Sequence, residues 1–413
     1  MKLRNLLFGT MIACAFVACS NDDDPTPNPD PTPEAAEATL EVQIKTPLSS
    51  KATTMPEEDN KINSLQLIVF DPTTNVVAYV GETAGKAGKN LAVKATVKAG
   101  TQKVLVLANS TKTISTGTSM SNVINDSKTF DSENSTNGFS MNSGVFTVNI
   151  EAGKTNYVGY ANEDVKSEID AKTAVLLTSD PVKLFRNVGK VILKTVEISK
   201  NIDKNRYPNA ALTLKNVYLL HAHKTTKLAT EAAWGPINVT GSYLNGATNE
   251  NYGKWTAYMV DKKEIYPYMQ SNYAEEGAYV QSLEDASSIS NGNKTFYAYE
   301  NTEAKEGYRT LLVVEADFSY TVDDETTTSA GRFYPIAVGY TGANFASIGE
   351  DFNGLRSGDL AGLLRNLKYE VALGVKGPGY TTPFGPNGDE DTFLDVNVEV
   401  VDFGFVSQSE EIE

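Results

Sequence analysis

The stretch of residues 38–51 constrains the fold most, because apolar and polar residues alternate strictly in its first half and the alternation then ends at a proline. Its apolar residues occupy every second position, and they are Ala38, Leu40, Val42 and Ile44. Polar residues stand between them, and this period of two is typical of a half-buried β-strand. Pro47 ends the pattern, because proline has no N–H to donate to a neighbouring strand. The stretch therefore predicts a strand with one face in a core.

The connector after this strand has the composition of a protease site. Residues 48–54 read LSSKATT, and exposed runs of small polar residues are preferred sites of cleavage. A cut after Lys51 would make Ala52 the new N terminus and would separate the strand from the rest of the chain. On these residues alone, the simpler interpretation of a first strand that merely begins a domain stays open.

The N terminus has the pattern of an export signal. Lys2 and Arg4 precede an apolar run of about a dozen residues, which is too short to span a membrane. Residues 16–19 read FVAC and resemble a bacterial lipoprotein cleavage box, with the competing Cys14 inside the apolar run. Cleavage before Cys19 would leave a single cysteine, which excludes a disulfide within the chain and a cysteine pair for a metal. We therefore predict a signal peptide at residues 1–18 and lipid on Cys19.

Residues 19–37 form an acidic, proline-rich tether. Prolines at positions 25, 27, 29, 31 and 33 alternate with other residues, so we expect an extended spacer of about 3.1 Å per residue. The run Asp22-Asp23-Asp24 is either a solvated charge cluster or, by resemblance, the acidic export signal of surface lipoproteins in the Bacteroidota.

Charge and composition limit the partners and the fold class. The net charge of −16 predicts an acidic surface that repels nucleic acid and anionic membrane surfaces. Frequent Thr, Val, Tyr and Gly, with little helical periodicity, favour an all-β chain. We expect two domains, at residues 52–185 and 186–413, and residues 110–141 read as loops. Strands are predicted at residues 62–70, 91–97, 102–109, 144–150, 174–177, 188–198, 211–221, 295–299, 308–320, 331–339 and 367–375, with one or two helical turns at 359–364.

The C-terminal region contains a second strongly alternating segment. Leu394, Val396, Val398 and Val400 share one face, after which the apolar series slips by one position and continues at Val401, Phe403 and Phe405. Such a slip moves side chains to the opposite face unless a β-bulge absorbs it. Unpaired, this strand would be an aggregation hazard. It must therefore lie in a sheet, either its own or that of a neighbouring molecule.

Several patterns resemble chemical sites, but we interpret them as structural. His221 and His223 have a spacing that could hold a metal, but no acidic or cysteine cluster adjoins them. Residues 81–86, GETAGK, miss the phosphate-loop pattern and read as a loop. Residues 389–391, DED, lack calcium-loop spacing, and no G-x-S-x-G motif occurs. Trp234, Trp255 and nearby tyrosines are read as packing rather than as a sugar-stacking face. We predict that the chain has no catalytic residue, no metal and no cofactor, and that it is not an enzyme.

Taken in order, these segments resemble the fimbrillins, the type V pilins of the Bacteroidota, over nearly the whole chain. The resemblance rests on the signal ending at Cys19, the strand and basic connector to Lys51, and the C-terminal strand from Val396 to Val406. It also rests on KVLVLAN at 103–109, FYAYEN at 296–301, FYPI at 333–336, and RNLKYEV at 365–371 followed by Gly377 and Gly379.

The resemblance implies an assembly mechanism as well as a fold. It implies two transthyretin-like β-sandwich domains in tandem, export as an outer-membrane lipoprotein, and proteolytic removal of the first strand, residues 38–51. The displaced residues would include Leu40, Val42 and Ile44. The donor strand, at about residues 394–406 of another copy, would then fill the groove. Well-known members are cut after arginine, whereas this chain has no arginine between Arg4 and Arg186, which points to Lys51.

The function expected from this resemblance is that of a pilus subunit. We expect a stalk subunit of an extracellular fimbrium that serves adhesion, with other pilins as partners and with surface ligands of host or bacteria. The alternative is a monomeric surface lipoprotein that binds glycans through an aromatic face. A polymerising subunit needs both a removable first strand and a donor strand, and the sequence contains both patterns.

Overall fold

The computed structural model describes residues 36–45, 59, 61–84, 90–130, 133, 138–180, 182–237, 239, 243, 280–282, 294–304, 306–341, 343–346, 348, 360–383 and 394–402. These residues belong to one compact unit, Ala36–Glu413. The strands of the first half are β1 Glu37–Lys45, β2 Ser64–Phe70, β3 Val77–Ala84, β4 Asn90–Lys98, β5 Gly100–Ala108, β6 Ser127–Thr129, β7 Met141–Ile150, β8 Thr155–Val158, β9 Ala174–Thr178 and β10 Phe185–Arg186. Those of the second half are β11 Val188–Ile198, β12 Ala211–Leu220, β13 Thr225–Lys227, β14 Val280–Ser282, β15 Lys294–Tyr299, β16 Leu311–Val322, β17 Glu325–Ala337, β18 Ala343–Asn344, β19 Leu367–Val375 and β20 Leu394–Asp402. The helices are α1 Met120–Asn125 and α2 Asn162–Asp170, with a 3-10 turn at Glu306–Tyr308.

The first half of the described chain forms two sheets that share a core. One sheet has the strand order β4-β1-β8-β9, and the other has the order β10-β7-β5-β2-β3. Aliphatic residues from both sheets meet in one buried cluster, because each strand presents alternate residues to it. Val104 and Val106 of β5 are among its fully buried members.

The second half repeats this arrangement with two further sheets. Their orders are β15-β11-β19-β20-β18 and β14-β12-β16-β17. Their core is richer in aromatic residues, and it includes Phe296, Tyr334 and Tyr369. A small two-stranded sheet, β13-β6, joins segments from the two halves.

The prediction of an all-β chain is confirmed, and the predicted strands each have a counterpart. Three local expectations were wrong. The loop at residues 110–141 contains α1 and β6. Gly81, expected in a loop, lies in β3, where the lack of a side chain lets it approach the carbonyl oxygen of Lys94 on β4. The expected helical turn at 359–364 is absent from its described part, residues 360–364, where Leu363 instead forms a bridge with Asn301.

Candidate functional site: the groove occupied by the first strand

Strand β1 lies inside its sheet rather than at an edge. All of its residues pair antiparallel with β4, from Glu37 opposite Lys98 to Lys45 opposite Asn90. On the other side, Thr39–Val42 pair in parallel with Thr155–Val158 of β8. Removal of β1 would therefore leave two strands without a hydrogen-bonding neighbour.

One face of β1 is part of the core. Leu40, Val42 and Ile44 are each 0% exposed and contribute to the same cluster as Leu67 and Val104 of the opposite sheet. Full burial of one such side chain is worth roughly 1.5–3 kcal/mol. The groove that holds β1 is thus a row of deep apolar sites, as the displaced-strand prediction requires.

On its opposite face, β1 contacts Tyr160, which packs with Tyr157 and helix α2. Tyr160 donates its hydroxyl hydrogen to Oε1 of Glu41 at 2.5 Å, and Tyr157 donates to Oε2 of Glu168 on α2 at 2.8 Å. The two tyrosine rings lie 4.6 Å apart and pack with Val165 of the helix. Burial, followed by the hydrogen bond to Glu41, raises the pKa of Tyr160 far above its usual value. Tyr160 therefore remains a hydrogen-bond donor at physiological pH.

Strand β8 and the glycine that follows it pack closely against the backbone of β1. Gly159 has a φ of +80°, and a Cβ at this position would lie 2.7 Å from the carbonyl oxygen of Gln43. The buried side chain of Asn156 donates from Nδ2 to the carbonyl oxygen of Thr39 at 3.3 Å and also contacts Glu151 and Lys154. Both residues show that the parallel edge of the groove is built around a strand backbone.

Replacement of Tyr160 by Phe is expected to weaken the hold on β1 without opening the core. The change removes the hydroxyl that donates a hydrogen bond to Glu41. Hydrogen bonds to a charged group contribute roughly 1.5–3 kcal/mol. Because Glu41 is partly exposed, we expect a loss of unfolding free energy at the lower end of this range. Denaturant unfolding of the full chain measures this loss. Tyr79→Phe, on β3 of the opposite sheet, is the control, and equal losses in both variants would contradict the assignment.

The predicted cleavage residues Lys51 and Ala52 lie outside the described residues. The chain is described up to Lys45 at the end of β1 and again at Asp59, which is 1% exposed. The carboxylate of Asp59 pairs with Lys190 and accepts a hydrogen bond from the hydroxyl of Tyr297 at 2.6 Å. Nε of Arg186 donates to its carbonyl oxygen at 2.9 Å. A cut after Lys51 would therefore leave the new N-terminal segment attached at Asp59.

Strand β20, the predicted donor, is paired within its own sheet. It runs antiparallel to β19 along its whole length, from Leu394 opposite Val375 to Asp402 opposite Leu367. Its other neighbour, β18, contributes only the pairs Ala343 with Val398 and Asn344 with Glu399. The register runs without a shift to Asp402, so no β-bulge absorbs the slip at Val401 within these residues. The lipidation residue Cys19 and the predicted donor residues Phe403 and Phe405 lie outside the described residues.

The register of β20 agrees with the predicted apolar row. Leu394, Val396, Val398 and Val400 stand opposite residues of β19 that are at most 1% exposed, namely Val375, Leu373, Val371 and Tyr369. Directly opposite residues in antiparallel strands share one face of the sheet. The row therefore occupies core-side positions in the isolated subunit.

Trp234 and the two histidines, which we interpret as structural, are buried and packed against other parts of the chain. Trp234 is fully buried and donates from Nε1 to the carbonyl oxygen of Arg365 at 2.8 Å, so it presents no stacking face. His221 and His223 are buried beyond the end of β12, where Nδ1 of His221 lies 3.0 Å from the carbonyl oxygen of Arg309. Burial lowers the pKa of His223. In the part of the chain that the structure describes, no three His, Cys, Asp or Glu residues cluster to hold a metal.

The helices in the described ranges are all too short or too polar to cross a membrane.

The chain is similar in sequence to known fimbrial subunits. The sequence profile of the family described as the major fimbrial subunit protein (FimA) matches residues 38–186. The "Major fimbrium subunit FimA type-3" of Porphyromonas gingivalis is 24% identical, over 99% of both chains. The "Major fimbrium subunit FimA type-5" of the same organism is 42% identical, but this match spans 20% of the chain and 19% of that relative.

A solved structure shows the same fold. A candidate cell adhesion protein from Parabacteroides distasonis superposes with a TM-score of 0.63 at 23% identity, covering 90% of this chain and 100% of the other. The matched residues 38–186 begin within β1 and end at Arg186, and therefore span the two sheets that form the groove. Residues 38–186 thus match the family of major fimbrial subunit proteins (FimA), and the chain is similar over its full length to a major fimbrial subunit of Porphyromonas gingivalis.

Proposed function

We propose that this chain is a stalk subunit of a cell-surface type V pilus, assembled by donor-strand exchange after proteolysis. In this scheme the precursor is held at the outer membrane by lipid on Cys19, and a protease cuts after Lys51. Strand β1 leaves, and the C-terminal strand of another copy takes its place. The subunit then belongs to an extracellular fimbrium that serves adhesion.

The observation that carries this proposal is the position of β1. It is an internal strand with a fully buried apolar face, yet its C-terminal end leads directly to the connector that contains Lys51. Loss of an internal strand exposes unpaired backbone on β4 and β8 together with apolar core. Such a groove is completed by strand addition, in which main-chain hydrogen bonds give affinity and side-chain pockets give specificity.

The two places available to β20 offer similar pairing. In its own sheet it pairs with β19 (9 residues) and touches β18 (2 residues). In the vacated groove its neighbours would be β4 (9 residues) and β8 (4 residues). Exchange therefore replaces one set of hydrogen bonds by a comparable or larger set. Exchange removes β20 from β19 and β18, so the gain must come from the longer second neighbour, β8, and from covering the core that the loss of β1 exposes.

The anchoring step predicts that lipid depends on Cys19. Replacement of Cys19 by Ala removes the thiol that would carry the acyl chains, so labelled fatty acid should no longer enter the precursor. Cys14→Ala is the matched control and should label normally, because that residue lies inside the apolar signal. Labelling of the Cys19 variant at the level of the native chain would show that lipid is attached elsewhere.

The arrangement of sheets supports two sandwich domains in tandem. Each half of the described chain contributes one pair of sheets around its own main core cluster. We propose that these pairs are the transthyretin-like domains of residues 52–185 and 186–413, with the β1 groove in the first and the donor strand in the second.

Electron microscopy of the producing cells, combined with N-terminal sequencing of purified filaments, tests the proposal. We expect filaments whose subunits start at Ala52. Filaments whose subunits start at Cys19 would contradict the removal of β1. A chain found only as a monomeric surface lipoprotein would favour the glycan-binding alternative.

A further inference from the structure

Strand β20 resembles strand β1 in the order of its residue types. Residues 40–44 of β1 read LEVQI, and residues 394–398 of β20 read LDVNV. Both follow the same order of residue classes in the same chain direction: aliphatic, acid, aliphatic, amide, aliphatic. This similarity goes beyond the alternation that any half-buried strand requires.

The groove makes a specific demand at each of these positions. Leu40, Val42 and Ile44 occupy fully buried core sites. Glu41 accepts the hydrogen bond from Tyr160. Gln43 is only 6% exposed, and its Oε1 has no hydrogen-bond partner among the described residues. An amide is tolerated at that site, whereas a carboxylate would be buried without compensation.

We propose that the terminal strand enters the groove in a single register, with Leu394 at the position of Leu40 and in the direction of β1. This inference rests on the strand exchange proposed above, and the partner is a second copy of this chain. Asp395 then accepts the hydrogen bond of Tyr160, and Asn397 takes the site of Gln43. The inserted strand is antiparallel to β4 and parallel to β8.

Other registers place an acid in a buried site. A shift that brings Val396 to the position of Leu40 puts Glu399 at the site of Gln43. A shift by two in the other direction puts Asp395 there. A shift that brings Val398 to the position of Leu40 puts Asp402 at the fully buried site of Ile44. Shifts by one place Asp395 at the site of Leu40 or of Val42, because a one-residue slip exchanges the two faces.

Disulfide trapping can read this register directly. Both cysteines of the chain, Cys14 and Cys19, precede Lys51, so a subunit that starts at Ala52 has none. Lys94 is exposed and stands directly opposite Glu41 on β4. Its Cβ should lie about 4.5–5.5 Å from that of the residue inserted there. We combine Lys94→Cys, in the full chain cut at Lys51, with Asp395→Cys, Asn397→Cys or Glu399→Cys.

The Asp395 variant should give at least about tenfold more cross-linked dimer than the other two. Positions two residues apart on a strand are separated by about 6.6 Å, which takes the wrong pairs outside disulfide geometry. A second pair, Thr96→Cys with Phe393→Cys, guards against a folding defect caused by the Lys94 change. Thr96 is exposed and opposite Thr39, where this register places Phe393.

The outcomes separate the register from strand exchange itself. Filaments that cross-link best through Asn397 or Glu399 would overturn the register and leave strand exchange intact. Filaments that cross-link at none of these positions would overturn the register as well. If the cut native chain formed no filaments at all, the proposed function would fail first, and the register with it.

Discussion

A Lys51→Gln chain is expected to remain an uncut, lipid-anchored monomer and to form no filaments. The reason is competition for one groove. The tethered β1 competes with a donor from another molecule, and linkage within one chain gives an effective concentration of about the millimolar range. Its three fully buried aliphatic side chains are together worth roughly 4.5–9 kcal/mol, and a donor strand with an equivalent aliphatic row would gain a similar amount. The tethered β1 therefore keeps the advantage of its effective concentration until the connector is cut.

Two matched variants make this experiment specific. Lys61→Gln changes an exposed lysine just before β2 and should be cut and assembled normally. Lys51→Arg should restore cleavage if the protease has the arginine preference of well-known family members. N-terminal sequencing and electron microscopy report the two steps separately. Filaments from the Lys51→Gln chain whose subunits begin at residue 62 would move the cut to Lys61, and filaments that retain β1 would refute the switch.

Local residue patterns in the sequence were enough to predict strands β1 and β5. Residues 38–44 alternate because one face of β1 lies in the core, whereas the other carries polar side chains such as Glu41, which is bonded to Tyr160. Residues 104–108 are apolar throughout because β5 lies in the interior of its sheet. In both cases the physical cause of the pattern acts at each residue separately, so it is visible in the sequence.

The parts that could not be predicted depend on contacts between distant residues. Strand β8 has only 4 residues and no alternation, and its place beside β1 is set by parallel pairing across more than a hundred residues. The bond between Tyr160 and Glu41 likewise joins positions 119 apart. The sequence does not assign β20 to its own sheet, because the same apolar row suits either groove. The pattern of apolar residues in a sequence indicates which side chains are buried, but it does not indicate which other strand they pack against.

Replacement of Val398 by Asp is expected to abolish the donor function of the terminal strand. In the proposed register Val398 takes the fully buried site of Ile44, where a carboxylate would lie within an aliphatic cluster. An uncompensated buried charge costs roughly 3–5 kcal/mol. Glu399→Gln, at the adjacent position, is the matched control and should assemble like the native chain. Electron microscopy of the cut subunits measures the outcome.

The position of Val398 in the isolated subunit requires a second readout. Val398 stands opposite the buried Val371 of β19, so the Asp variant also weakens its own sheet. The β1 groove lies in a different pair of sheets, and it should still accept a donor strand. A cut Val398→Asp subunit mixed with native subunits should therefore join one end of a filament and stop growth there. We expect shorter filaments as its proportion rises, and a chain that ends after Asp391 should act in the same way. Normal filaments from either variant alone would place the donor strand elsewhere in the chain, whereas unchanged filament length in the mixture would show that the variant no longer folds.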